Sequence, residues 1–270
     1  MQDEPKKGDE PKKGDEPKKE EAKIQLVWPP LESDPYIFNE YFHSIGMKKD
    51  VFFKELLSLV EYSAFLSING PLLGVILNYS RNEIPKGVEA PKEGEVPKEE
   101  VFPKESSVPY FMRQTAKLDN ACGLIAALHC FGNSKNGELK FEPGSILETF
   151  FNKAKTLSPL DRAKLLEDYD DFKKAHEHFS GKGQTNIETQ VKNDYVGHYI
   201  CFVNVKGKLI EFDGIKEAPS IIKDNVNDSN FLDETLKEIL KRIKNKVIKE
   251  QCNVMVVADT DTQLIDFLAE

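Results

Sequence analysis

The stretch GHYICFVNVKGKLIEFDG, residues 197–214, leaves the chain little choice of local structure. Apolar and polar residues alternate on both sides of Lys206-Gly207, and a two-residue turn ending in glycine suits the twist of a hairpin. With Val205 opposite Lys208, Ile200 falls opposite Asp213, and His198 stands two residues further along the same face. Diagonal neighbours of that kind lie about 7–8 Å apart at the backbone, within reach of a histidine and an aspartate side chain. Asp213 can then hold one ring nitrogen of His198 while the other faces a third group. A hairpin that carries two polar residues for purely local reasons would read the same way.

A candidate third group sits upstream, in LDNACGLIAALHC (118–130). Asn120 is a plausible cap for a helix running to Phe131 and closed by Gly132, which puts Cys122 in the first turn. The unpaired amides and positive dipole end of a helix favour a thiolate and lower the pKa of a nucleophile placed there. A buried structural cysteine fits the apolar surroundings equally, and Cys130, beside Leu128 and Phe131, takes that reading. His129 cannot be the base for Cys122. Seven residues of helix rise roughly 10 Å, whereas a nucleophile and its base must approach to about 3 Å. His129 is therefore expected in the core, bonded to a neighbour. His43 lies near the end of an early helix, and His176 and His178 read as a solvated pair at a charged helix end. No cysteine or carboxylate at ligand spacing completes a metal site there, so neither metal nor cofactor is expected.

Two tracts stand apart from these periodic segments. DEPKKG, DEPKKG and DEPKKE fill residues 3–20, and Pro-Lys returns every six residues from Pro85 to Pro103. Proline removes donors and the charged residues offer little to bury, so ordering such tracts has nothing to offset its entropy. The expected organisation is a disordered tail at 1–23 and a folded domain at 24–262, with a disordered insertion at 83–107 and a short C-terminal end at 263–270. SDPYIFNEYFHSIG begins a helix with Asp34 as cap and Pro35 at its first position, and stops at Gly46. GPLLGVILNYS and CNVMVVAD read as strands, 144–179 as two or three helices, and 230–248 as a basic amphipathic helix. Helices followed by antiparallel strands indicate an α+β class.

The net charge of −9 argues against broad nucleic-acid binding and suits a partner with basic patches. Four cysteines without a CxxC pair fit a reducing compartment. No signal peptide or membrane-spanning run is evident, so a cytoplasmic location is expected, with the nucleus as a second, and no membrane partner.

QTAKLDNACGLIAALH followed by GHYICFVNVKGKLIEFDGIKEAP closely resembles the ubiquitin carboxyl-terminal hydrolases, and WPPLESDPYIFNEYFHSIG resembles the start of their short isozymes. The likeness runs from about Trp28 to Ala258, without the C-terminal extension of the longer members. It implies a papain-like cysteine protease fold of this family's type, with a central antiparallel sheet, flanking helices and a knotted backbone. It implies Cys122 as nucleophile, His198 as general base and proton donor, Asp213 as its orienter, and Gln114 as an oxyanion-hole donor beside the Cys122 amide. It further implies an active-site crossover loop at 180–196, and contacts to ubiquitin from Pro30, Leu31 and Glu32. The expected activity is cleavage of small adducts or peptides from ubiquitin's C-terminal glycine by a monomer, with a ubiquitin-like modifier as a second substrate. One spacing departs from the pattern. Gln114 precedes Cys122 by eight residues, where the family usually has six. Either a small bulge absorbs the extra residues, or the glutamine is displaced. In the second case the chain would be a catalytically impaired protein that holds free ubiquitin.

Overall fold

A seven-stranded, wholly antiparallel sheet organises the chain, in a computed structural model describing residues 28–64, 66–81, 100–101, 109–118, 120–135, 140–183, 197–259 and 262–266. The strands, in chain order, are β1 (Phe52–Glu55), β2 (Leu66–Asn69), β3 (Gly74–Arg81), β4 (Glu100–Val101), β5 (His198–Val205), β6 (Lys208–Phe212), β7 (Ser220–Asp224), β8 (Ile248–Ala258) and β9 (Gln263–Asp266). Across the sheet the order is β1-β8-β3-β5-β6-β7-β4, while β2 and β9 pair separately. The helices are α1 (Pro35–Ser44), α2 (Cys122–Asn133), α3 (Ile146–Ala154), α4 (Pro159–Glu167), α5 (Asp170–Ser180) and α6 (Phe231–Lys244). The 1–23 tail lies outside the described residues, as do most of the 83–107 stretch and residues 184–196 of the expected crossover loop. Two residues of the 83–107 stretch, Glu100 and Val101, pair with β7, and part of the expected C-terminal end pairs with β2 as β9.

Both faces of the sheet are covered, and the period-two geometry of strands divides their side chains between two cores. Ile76, Tyr199, Cys201, Val203, Met255 and Val257 join α1 to α5 in the larger core. Their neighbours Val75, Leu77, Ile200, Phe202, Val254 and Val256 face the other way, against Leu232, Leu236 and Ile239 of α6. The middle of β5 is therefore buried on every residue from Tyr199 to Val203, and does not alternate between core and solvent. A buried ring such as Phe202 contributes about 1.5–3 kcal/mol relative to exposure.

Local chemistry fixes the helix ends. Asp34 accepts the Tyr36 amide at 2.7 Å, Pro35 opens α1, and Gly46 follows its end at φ +105°. A side chain at Gly46 would also overlap Ser145, the residue that caps α3 through the Glu148 amide. α2 is buried on all sides from Cys122 to Phe131, as its unbroken apolar composition requires. Both ends of α2 differ from the sequence reading. The cap is Ala121, without a side-chain bond, because a 3₁₀ turn at Ala116–Leu118 feeds the helix one residue later than a cap at Asn120 would. Gly132 does not stop α2 but lies inside it, where a β-carbon would come within 2.5 Å of the Tyr110 ring.

Candidate active site

The β5–β6 hairpin has the register that its turn dictates. Lys206 and Gly207 take φ +52° and +83°, the paired left-handed values of a type I′ turn, and Val205 faces Lys208. Cys201 then faces Phe212, and one step beyond the ladder His198 reaches Asp213. His198 Nε2 donates to Asp213 Oδ1 at 2.7 Å. The histidine side chain is 15% exposed and the aspartate 2%.

Asp213 is itself fixed. The Ile215 amide donates to the same Oδ1 at 3.2 Å. Two residues back, buried Glu211 is gripped by Lys216 at 2.8 Å and Arg242 at 2.5 Å. Burial would raise the Asp213 carboxyl, but the hydrogen bond and charge of His198, the Ile215 amide and Lys216 together hold it below its ordinary value. For His198, burial pulls the pKa down, and the bonds and charges of Asp213 and Cys122 outweigh it, raising the value to about 9. With Nε2 committed to Asp213, Nδ1 is the nitrogen left to meet Cys122. The cysteine is the first residue of α2, so its amide is one of the four that a helix leaves without an intrahelical acceptor.

Gln114 belongs to a strap, residues 110–115, in which every residue is fastened to something different. The Tyr110 carbonyl accepts from Asn133 of α2 at 2.7 Å, and that of Phe111 from Arg162 of α4 at 2.8 Å. The Met112 amide donates to His129 Nε2 at 3.0 Å, and the Arg113 amide to the Pro159 carbonyl at 3.1 Å. The Gln114 amide donates to the Gly214 carbonyl at 2.7 Å, directly beside Asp213. A β-carbon on Gly214 would stand 3.1 Å from that of Gln114, so the glycine permits this close approach. Thr115 closes the series, its hydroxyl donating to Glu167 of α4. Between Gln114 and Cys122 the chain makes a 3₁₀ turn at Ala116–Leu118, with Leu118 buried.

The other histidines do different work. His129 is wholly buried against Phe111 and Phe212, and burial lowers its pKa to about 3. It is a core histidine holding the strap, as expected, although no local pattern pointed to Met112 as its partner. His43 donates to the Val51 carbonyl at 2.9 Å. His176 departs from expectation. It is fully buried and donates to the Pro29 carbonyl at 2.6 Å, while His178 alone is exposed. Helical spacing explains the difference: Phe172, His176 and Phe179 fall on one side of α5, and that side is buried against Trp28 and Tyr41. This contact seats the Trp28–Glu32 segment. The Tyr199 hydroxyl secures it a second time through the Leu31 carbonyl at 2.9 Å. Pro30 and Leu31 are buried in the chain's own body, and Glu32, beside Gly183, is half-buried.

Sequence reasoning missed Tyr199, Arg162 and Glu167, which fasten these segments. The usable signals were weak: Tyr199 adjoins His198, and Arg162 and Glu167 lie on a short, largely polar helix.

Residues 28–244 match the family described as ubiquitin carboxyl-terminal hydrolase, family 1. Ubiquitin carboxyl-terminal hydrolase 3 of Arabidopsis thaliana is 30% identical over 231 residues, 86% of this chain and 94% of its own length. Ubiquitin carboxyl-terminal hydrolase isozyme L1 of Sus scrofa is 32% identical over 201 residues, 70% and 80% of the two chains. Among solved structures, the catalytic domain of Trichinella spiralis UCH37 bound to ubiquitin vinyl methyl ester superposes with a TM-score of 0.63. It shares 23% identity and covers 86% of this chain and 95% of that one, a likeness of fold.

Proposed function

The chain belongs to the ubiquitin carboxyl-terminal hydrolase family and is a cysteine hydrolase, and from that premise we propose that it releases small adducts and peptides from the C-terminal glycine of ubiquitin. The observation that carries the residue assignment is the His198–Asp213 bond of 2.7 Å, with Cys122 among the partners that raise the histidine's pKa.

In this reading the Cys122 sulfur, its proton passed to His198 Nδ1, attacks the carbonyl carbon of the terminal glycine. The carbonyl oxygen becomes an oxyanion, met by the Cys122 amide and the Gln114 side-chain amide. As the tetrahedral species collapses, His198 gives its proton to the leaving nitrogen or sulfur, and a thioester to Cys122 remains. Water enters, His198 takes one of its protons, and collapse of the second tetrahedral species frees the ubiquitin carboxylate and the thiol. Asp213 keeps Nε2–H pointed inward throughout, so Nδ1 always faces the sulfur. A histidine that retains its second proton to about pH 9 suits the acid half of this cycle.

Contact with ubiquitin at the Trp28–Glu32 segment would fall to Glu32, since Pro30 and Leu31 are buried. The size limit expected of the 180–196 segment, and action on a ubiquitin-like modifier, belong to the same proposal.

A ubiquitin probe carrying a C-terminal electrophile tests the proposal, together with turnover of a fluorogenic ubiquitin amide. Wild type should be labelled and active, and Cys122→Ala should lose both completely. Binding of ubiquitin without labelling or turnover in the wild type would refute it.

A further inference from the structure

Resting on that reading, we propose that Glu167 is a positioning residue for catalysis, acting through the strap to set the side chain of Gln114 against the oxyanion. Gln114 and Cys122 are joined by a seven-residue link, 115–121, that a donor placed to within a fraction of an ångström cannot leave slack. Among its described residues, three form a 3₁₀ helix, and the helix start at Ala121 has no side-chain cap. Buried Leu118 and Ala121 anchor the far half of the link, through the core and the Leu118 and Ala121 amides, and the half next to Gln114 is held by α4. Glu167, its last residue, has a side chain only 9% exposed and clasps the link at two points. Its Oε1 accepts from the Thr115 hydroxyl at 2.5 Å, and its Oε2 pairs with Lys117 at 3.3 Å.

The two bonds differ in worth. Lys117 is 78% exposed, so its ion pair is screened and contributes little. The Thr115 bond is shielded and adjoins Gln114 in sequence, so it governs the direction in which the glutamine leaves the strap. The same helix also holds Arg113 through the Pro159 carbonyl and Phe111 through Arg162. Arg162 is in turn braced by the Ala154 and Lys155 carbonyls, at 2.9 and 3.1 Å, and by the face of Tyr110. One side of the strap is therefore splinted on α4 at alternate residues 111, 113 and 115. The other side is tied to α2 and to Gly214. Removing Glu167 frees the splint at the residue next to the donor, with nothing taken from Cys122, His198 or Asp213.

A double-mutant cycle on turnover of a fluorogenic ubiquitin amide decides the matter. Displacing a catalytic group by about 1 Å costs up to roughly 10²-fold, so Glu167→Ala should lower kcat about 10- to 100-fold with KM unchanged. The rate of Cys122 alkylation by iodoacetamide, which needs no oxyanion donor, should not change. Glu167→Gln keeps an acceptor for Thr115 and should recover most of the loss, which also covers the case of a poorly folding alanine variant. In a Gln114→Ala background, Glu167→Ala should have no further effect. An equal loss of kcat in that background, or wild-type kcat in Glu167→Ala, would overturn the positioning role while leaving the oxyanion assignment standing. Wild-type kcat in Gln114→Ala would instead remove the oxyanion assignment, and this proposal with it.

Discussion

At the scale of single residues the site depends on keeping one histidine charged where burial disfavours charge. A desolvated imidazole ordinarily titrates low, as His129 and His176 do. His198 goes the other way because a carboxylate that is itself secured meets its Nε2. Asp213→Asn keeps the shape and removes the charge, and an amide can present its NH₂ to Nε2, turning the wrong tautomer toward Cys122. The variant should lose at least about 10²-fold in kcat. The His198 pKa should fall from about 9 toward the low value that burial alone would give. A pH profile of turnover, alongside NMR titration of the histidine ring, reads both effects. A wild-type pKa in the variant would show that Cys122, and not Asp213, sustains the charge.

At the scale of elements, legibility in the sequence followed how local the cause was. The hairpin register was legible because a Lys-Gly turn leaves few alternatives, and with it came the meeting of His198 and Asp213. Asp34 and Pro35 announced α1 for the same reason. What stayed hidden was set by distant partners. The burial of His176 depends on Pro29, almost 150 residues away, and the fastening of Met112 on His129 across the strap. The eight-residue spacing before Cys122 could be counted, but the 3₁₀ turn within it carried no local signal. Gly132 makes the clearest case. Its sequence context suggests a stop, but the helix continues and the glycine makes room for Tyr110, whose ring packs on Phe151 and under Arg162. Helix propensity alone predicts that Gly132→Ala stabilises by about 1 kcal/mol. Overpacking against a braced ring should outweigh this and leave the variant destabilised by about 1–2 kcal/mol. Urea unfolding monitored by circular dichroism measures the sign, and a stabilised variant would mean that Tyr110 moves aside freely.

For the molecule as a whole, its buried histidines set opposing limits on the pH range of stability. Above pH 6.5, the ordinary histidine value, His129 and His176 are neutral both folded and unfolded and impose no penalty. Below it the unfolded chain takes up two protons that the folded chain refuses until about pH 4 for His176 and about pH 3 for His129. Stability should therefore fall with acid at up to about 2.7 kcal/mol per pH unit, until His176 titrates and the slope halves. Asp213 adds to this limb only below about pH 4, where its unfolded form gains a proton first. His198 acts on the alkaline side. Below pH 6.5 it is protonated in both states and its stabilisation is fully present. Between 6.5 and about 9 the unfolded chain releases the proton that the folded chain keeps, and up to about 3 kcal/mol is lost. From these four groups, thermal stability should peak near pH 6.5 and decline in both directions. His176→Gln retains a donor for the Pro29 carbonyl without a titrating ring, so it should make the acid limb about half as steep between pH 6 and 4. Asp213→Asn should flatten the alkaline limb and steepen the acid limb, because a His198 left to burial alone refuses a third proton that the unfolded chain takes up. Melting temperatures of the three proteins across pH 4–9 test both limbs at once. An acid limb unchanged by His176→Gln would show that the seat of the Trp28–Glu32 segment takes up a proton without unfolding.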